Sequence, residues 1–311
     1  DSEKAMEFTF SAKADGTYAL TTIESHSFNG VTNLREINFP DGLTTIGDSA
    51  FFNAGFRSLT IPYTVTTIGV SAFAGTYSNE SSLEELTFNV GENGKSKLQL
   101  IKSKAFYGSR MTNVEFPETE NDLVLGNISG TGNSAKFTGQ LFSGNVNLRT
   151  AKLSTSVKDI TDVFTGCPNM QSIEVAEGHT VYSSNPGEPI LYNVSKTAIV
   201  YICGQLKGNV AGEEGYYRIA DGITTISAKA FEEQLLLKKV FIPKTVMTIE
   251  AEAFKDSSNL KEVVIEHGNG VTSQLVSIGA SAFENCVSLT TINLPANQTY
   301  KELLTKTFNN C

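Results

Sequence analysis

The sequence predicts a repeat solenoid, mainly β, wound as a right-handed superhelix with a parallel sheet and short helical or 3-10 turns. Three observations carry that expectation. One phrase recurs: "LTTIGDSAFF" at 43–52, "VTTIGVSAFAG" at 65–75, "ITTISAKAFEE" at 223–233, "VMTIEAEAFKD" at 246–256 and "LVSIGASAFEN" at 275–285. A second phrase, with apolar residues at positions one, four and six, sits between the copies. Where no loop intervenes, the copies step by 22 or 23 residues, as at 23→46, 46→68 and 226→249.

The first phrase is anchored by an Ile and a Phe five residues later. The pairs are Ile23/Phe28, Ile46/Phe51, Ile68/Phe73, Ile101/Phe106, Ile226/Phe231, Ile249/Phe254 and Ile278/Phe283. Looser copies are Phe137/Phe142, Ile160/Phe164 and Leu303/Phe308. The second phrase reads Leu34-x-x-Ile37-x-Phe39-Pro40, Leu237-x-x-Val240-x-Ile242-Pro243 and Leu289-x-x-Ile292-x-Leu294-Pro295, among other copies. Its last residues alternate in and out as a strand does. A period of 20–29 residues with an L-x-x-L-x-L core is the mark of a leucine-rich-repeat solenoid. One such coil cannot bury its own apolar face, so neighbouring coils bury it between them and equivalent positions form columns. The ten Phe anchors should form such a column. The "TTI" triplets should form a brief second strand with exposed threonines.

The expected organisation is an N-terminal cap over 1–19, where Met6, Phe8, Phe10 and Ala12 alternate, and a solenoid over 20–311. Irregular insertions are expected at about 117–141 and 176–222. The chain stops at Cys311 with no polar cap after it, so the natural protein is expected to continue, or that end to be covered by another surface. The first residues, "DSEKAMEFTF", look like the start of a mature or trimmed chain, and no signal peptide is present in them.

Composition narrows the function. Of 311 residues, 40% are hydrophobic and 18% charged, which makes a globular chain. A net charge of -9 argues against nucleic acid and against an anionic membrane surface, both of which attract basic proteins. No apolar run is long enough for a transmembrane segment. The four cysteines form no CxxC pair and the three histidines lack ligand spacing, so no metal and no cofactor is expected. Cys167, Cys286 and Cys311 each lie three residues after a column Phe, where other coils carry small residues. They read as packed turn residues, with a Cys286–Cys311 disulfide conditional on neighbouring coils and suitable geometry. The sequons at Asn79, Asn127, Asn193 and Asn297 are no more than chance supplies in such a chain.

The pattern L-x-x-I-x-[FI]-P-x-x-[LV]-T-x-I-G-x-x-A-F resembles the BspA-like leucine-rich repeats of bacterial surface proteins. The resemblance covers about residues 20–311, with a looser fit at 117–145 and 176–220. Residues 181–222 resemble the Tyr-rich "Y-x-x-x-x-G-x-L-Y" segment of such arrays, though Gly187-Glu188-Pro189-Ile190-Leu191-Tyr192 carries two extra residues. The resemblance implies a secreted or cell-surface adhesion protein that binds protein partners, such as host extracellular matrix or serum proteins. No motif of the repeat is catalytic, so the chain is not expected to be an enzyme.

The candidate partner-binding residues follow from alternation. The outward columns of the main strands are mostly polar, but Phe241 and Val264 fall side by side where water is expected, flanked by Lys239 and Glu262. They form a contact patch, or the 176–222 segment or a neighbouring loop folds back over them. Tyr182, Tyr192, Tyr216 and Tyr217 offer a recognition surface, or they pack on the solenoid. Glu115, Lys152 and Glu174 could approach one another, which keeps a glycan-binding or glycan-cleaving solenoid as an alternative. An architectural spacer in a larger surface protein is the other. Acidic pairs such as Glu84/Glu85, Glu213/Glu214 and Glu232/Glu233 read as solvated surface.

Overall fold

The computed structural model describes residues 5–10, 20–75, 83–129, 136–267, 270, 272–295 and 303–311, with backbone alone at 127–129 and 136–138. The chain divides into two compact units: Asp1–Met170 with Glu174–His179, and Gln171–Ile173 with Thr180–Cys311. Each is a β-solenoid. Of the expected cap, Met6–Thr9 adds a parallel strand beside Leu34–Asn38, and Phe8 sits edge-on to Phe28 at 5.2 Å. Residues 1–4 and 11–19 lie outside the described residues.

In the first unit the main face carries Leu34–Asn38, Ser58–Ile61, Glu85–Phe88, Asn113–Glu115 and Thr150–Leu153. Alternation decides which side chains go in. Ser58–Ile61 reads exposed, buried, exposed, buried, with Leu59 and Ile61 inward. The second face is a five-stranded parallel sheet of Thr22–Ile23, Thr45–Ile46, Thr67–Ile68, Leu100–Ile101 and Val124–Leu125. Its threonines are half-buried rather than exposed, because the first of each pair reaches back to the preceding coil. Thr44 Oγ1 donates to the Thr21 carbonyl at 2.9 Å, and Thr66 Oγ1 to that of Thr44 at 3.0 Å.

In the second unit the main face is a continuous four-stranded sheet of Tyr216–Arg218, Lys239–Ile242, Glu262–Ile265 and Thr291–Asn293. The second face carries Ala198–Ile202, Thr225–Ile226, Thr248–Ile249 and Ser277–Ile278, extended by the antiparallel strands Ile190–Asn193 and Tyr182–Ser184.

The aromatic column forms within each unit. Phe28, Phe51, Phe73, Phe106, Phe142 and Phe164 stack in sequence at 4.9, 5.2, 5.8, 5.6 and 6.0 Å between ring centroids. Phe231, Phe254, Phe283 and Phe308 stack at 4.7, 5.1 and 5.4 Å.

The expected helical or 3-10 turns are corrected. Among the described residues there is no helix; the segment around each column Phe is a run of turns. The backbone explains why. The residue two before the column Phe is left-handed in all ten coils: His26, Ser49, Ser71, Lys104, Gln140, Asp162, Lys229, Glu252, Ser281 and Lys306, with φ between 47° and 62°. A left-handed residue, costly for any side chain, stops a right-handed helix from propagating. It also turns alternate amides toward the next coil. Phe51 N–H donates to the Ala72 carbonyl and Asn53 N–H to that of Ala74, both at 2.8 Å, while Ala50 N–H turns back to Gly47. Gly47, Gly69 and Gly279 permit the close approach, since a Cβ on any of them would lie within 2.6 Å of the preceding coil's backbone.

In four coils the position three after the column Phe carries a side-chain donor to the coil before. Cys167, Ser257, Cys286 and Cys311 each donate to the carbonyl of the preceding column Phe, at 3.2, 2.7, 3.1 and 3.0 Å. All four cysteines are free. Cys286 and Cys311 lie in neighbouring coils and form no disulfide. Burial pushes the thiols of Cys167 and Cys286 up to about 12.

Both expected insertions contain solenoid structure. In the first, Val124–Leu125 is a regular second-face strand, and Gly126 N–H donates to Ile101 as Gly47 does to Ile23. Leu125 is therefore the anchor that pairs with Phe142. Phe137, expected there, belongs instead to an antiparallel hairpin, Asn127–Ser129 with Lys136–Thr138. In the second, Ile199 registers with Ile226 and Tyr217 with Val240, so 176–222 supplies strands to both faces.

Candidate functional site

The outward columns of the second unit are confirmed by register. Arg218, Phe241, Val264 and Asn293 are cross-strand partners in turn, as are Tyr216, Lys239, Glu262 and Thr291. Phe241 and Val264 are half-buried. Both readings of Phe241 meet here: it faces outward, and the 176–222 segment does reach it. The guanidinium of Arg218, on the strand that segment supplies, lies 4.4 Å from the Phe241 ring centroid. The Lys239 ammonium sits 5.0 Å from the same ring and 5.7 Å from that of Tyr216. Lys239 is paired with Glu262 at 2.7 Å, and Arg218 with Glu266 at 2.6 Å. The patch is thus an aromatic residue held between two cations, each with its own carboxylate.

Of the two readings of the tyrosines, packing on the solenoid is the one that three of the four follow. Tyr182, Tyr192 and Tyr217 are 8%, 7% and 8% exposed. Tyr217 points inward as Val240 does and meets the Phe231 ring edge-on at 6.1 Å. Burial raises the Tyr217 phenol above its ordinary range, and burial with nearby Glu188 pushes that of Tyr192 up to about 12. Only Tyr216 stands on the outer face.

The acid/base candidates of the first unit are tied down. Lys152 Nζ is 2.5 Å from Glu115 Oε1, and both side chains are exposed. The hydrogen bond and charge of Glu115 hold the Lys152 ammonium above its ordinary pKa, with a smaller contribution from Glu174. Glu118 accepts from the Thr155 amide at 2.7 Å, the Thr155 hydroxyl at 2.6 Å and Ser156 Oγ at 3.2 Å. Burial opposes its charge, but these hydrogen bonds prevail and its pKa is lowered. Among the acidic pairs Glu232 departs from the solvated expectation: it is half-buried, and burial pushes it up to about 6.

Glu115, Glu118 and Lys152 border a cleft of about 480 Å³, whose lining also includes Leu86, Phe88, Asn113 and Ser154. Ser154 is 4% exposed, and its Oγ has no hydrogen-bond partner. Arg218 and this cleft were both missed by sequence reasoning. Arg218 was findable by aligning "YYRIA" at 216–220 with "KVFIP" at 239–243.

Among the described residues no group of three or more His, Cys, Asp or Glu is placed to hold a metal ion, and no helix is long and apolar enough to cross a membrane. The sequon Asn193 is committed to its own turn, its side-chain oxygen accepting from the amides of Thr197 and Ala198. The sequons Asn79 and Asn297 lie outside the described residues.

Comparison with known proteins agrees with the geometry. A leucine-rich repeat protein from Eubacterium ventriosum aligns at 19% identity over 86% of this chain and 80% of its own, with a TM-score of 0.53. The pneumococcal vaccine antigen PcpA aligns at 20% identity over 92% of this chain and 65% of its own, with a TM-score of 0.49. A leucine-rich cell surface protein from Faecalibacterium prausnitzii aligns at 16% identity over 98% and 86%, with a TM-score of 0.40. Among curated proteins, none matches the chain. The family model of the BspA type leucine rich repeat region matches residues 12–124, 95–186 and 217–311, in six copies. The chain therefore belongs to the BspA-type leucine-rich repeat family.

Proposed function

We propose that the protein is a non-enzymatic binding module, displayed on a cell surface or secreted, that holds a protein partner on the main face of its second unit. The observation that carries this reading is the outward apolar pair Phe241 and Val264, flanked by Arg218 and Lys239. An aromatic side chain already ordered by two cations loses little freedom on binding, which is what interface anchors require. The family's occurrence among surface proteins supports the setting. A host matrix or serum protein is the partner class this setting suggests. The non-enzymatic reading draws support from Glu115, neutralised by Lys152, and from Glu118, whose hydrogen bonds favour its charged form. A general acid needs the opposite environment.

The test is a pull-down from matrix and serum proteins with the parent chain and a Phe241→Ser/Val264→Ser variant, with circular dichroism to verify that the variant folds. The expected result is a partner retained by the parent and lost by the variant. Equal retention by both would move the site elsewhere. Hydrolysis of a polysaccharide panel by the parent would overturn the non-enzymatic reading.

A further inference from the structure

The main face of the first unit is interrupted. Among the described strands, no ladder joins Glu85–Phe88 to Asn113–Glu115: the former pairs with Ser58–Ile61, the latter with Thr150–Leu153. The two start together, because Arg110 N–H donates to the Leu83 carbonyl at 2.7 Å. Beyond that bond the Phe116 amide goes to Lys152 on the far side, at 3.0 Å. The cleft described above is the notch along this break. It is no slot for a further strand: Cα atoms of the two strands come within 8 Å of each other, and a strand between them needs about 9.5 Å, twice the usual spacing.

The chain's own spacing goes with the notch. From column Phe to the next anchor is six residues in coils such as Phe254→Leu260, but five in Phe106→Met111. The same shortening, Phe51→Phe56, precedes the other interruption, between Leu34–Asn38 and Ser58–Ile61. That one is filled. The Arg35 guanidinium donates to the carbonyls of Thr32 and Gly55, at 2.7 and 2.9 Å. The residue equivalent to Arg35 at the open notch is Glu84, whose carboxylate has no proton to give.

Two side chains on the open notch lack the partners or the chemistry of their equivalents. Phe39 and Phe116 hold the same repeat position as Phe88 and meet the column rings of Phe51 and Phe142 at 5.7 and 6.2 Å. Among the described residues Phe88 meets no ring, and it lies half-buried on the notch lining. Ser154 stands where other coils carry Pro40, Pro62, Pro117 and Pro243. Its neighbours in that column, Pro117 and Ala176, have no side-chain polar atom, and its buried hydroxyl has no hydrogen-bond partner. Such a group is unfavourable until something supplies the missing bond.

We propose that this notch binds a neutral saccharide of one or two rings. A pyranose has a face of C–H bonds and a rim of hydroxyls, each able to donate and to accept. The C–H face lies on the free Phe88 ring, with Leu86 beside it. One hydroxyl completes Ser154 Oγ. Others meet Asn113, which donates and accepts, and the Lys152–Glu115 pair, whose ammonium keeps protons and whose carboxylate keeps lone pairs to spare. The charged groups of the lining are all engaged. Glu115 is paired with Lys152, on which Glu174 also acts. Glu118 accepts from the Thr155 amide, the Thr155 hydroxyl and Ser156 Oγ, and Lys95 acts on its charge. No lining cation is left for an anion and no lining carboxylate for a cation, so the fitting ligand is uncharged. A cleft of about 480 Å³ lies in the size range of small-ligand sites.

This inference does not depend on the Phe241 patch, and one experiment separates the two. The full chain is applied to an array of neutral and acidic glycans, and the enriched saccharide is titrated calorimetrically into parent and variants. Phe88→Leu removes the ring and keeps an apolar residue that the repeat itself uses here, at Leu153 and Leu294. Ser154→Ala removes the unpartnered hydroxyl, and its unfolding midpoint should equal or exceed the parent's, so that lost binding is not lost folding. The Phe241→Ser/Val264→Ser variant is the control. The expected result is enrichment of neutral saccharides whose affinity falls by about tenfold on Phe88→Leu and on Ser154→Ala and stays unchanged on the control. No enrichment, enrichment of acidic glycans alone, or affinity that either notch variant leaves unchanged would overturn the proposal. Binding of tetramethylammonium that the notch variants abolish, with no saccharide bound, would overturn the saccharide assignment.

Discussion

The main face of the second unit is one unbroken sheet, while that of the first is broken in two places, although both are built from the same phrase. The difference lies in what the turns have lost, not in what they have gained. Phe73 and Leu83 are ten residues apart, four more than the regular spacing, yet the strand that follows, Glu85–Phe88, pairs with Ser58–Ile61 over four residues. An added loop costs little entropy and lets the chain return to its column. A missing residue cannot be made up, and both breaks follow a turn one residue short. Deletions, not insertions, go with the breaks in the main face.

The largest expected effect comes from the aromatic columns. Phe254→Ala, in the continuous unit, should destabilise by about 3–5 kcal/mol, read by urea unfolding. Phe28→Ala should cost less, because Phe28 is half-buried whereas Phe254 is fully buried. Equal losses would show that burial does not govern the columns.

A smaller effect tests the plugged break. Arg35→Ala removes both bridging hydrogen bonds and should cost about 1 kcal/mol. Hydrogen exchange should rise in Leu34–Asn38 and Ser58–Ile61, and remain unchanged in the second unit's sheet. Unchanged exchange at these strands would mean that Arg35 plugs nothing.

The smallest effect is on pH dependence. Glu232 is raised in the fold from an ordinary 4.5 to about 6, chiefly by burial. The folded state therefore holds the proton more tightly than the unfolded chain. Its contribution to stability is complete below about 4.5 and is lost as pH rises through about 6. Glu232→Gln should flatten the stability profile in that window and raise the unfolding midpoint at pH 7. A profile identical to the parent's would contradict the burial of this carboxylate.

Much of the fold was legible because a repeated phrase states its inward positions many times over. Phe51, Phe106, Phe231 and Phe283 were placed correctly without any reference structure. The turns were misread because the pattern I-x-x-x-A-F fits a helical half-turn as well as a turn broken by a left-handed residue. Ser49, Lys104 and Glu252 share no side-chain chemistry that would announce such a backbone. Leu125 was missed because a hairpin separates it from Phe142. At the candidate site, alternation set the outward direction of Phe241 and Val264. It could not supply Arg218, whose neighbourhood depends on register across strands distant in sequence. The notch left a trace in the sequence, a spacing of five in place of six, but its effect emerges only when strands are laid side by side.

The turn amides that reach from coil to coil have a mechanical consequence. Within each unit the ladders of the parallel strands and alternate amides of the turns run between coils, along the stack. Tension applied along the stack loads them one coil at a time, not in parallel shear. Each unit should then lengthen by peeling single coils, of 22 or 23 residues where no loop intervenes, in repeated steps. Such a stack yields gradually under load and recoils one turn at a time.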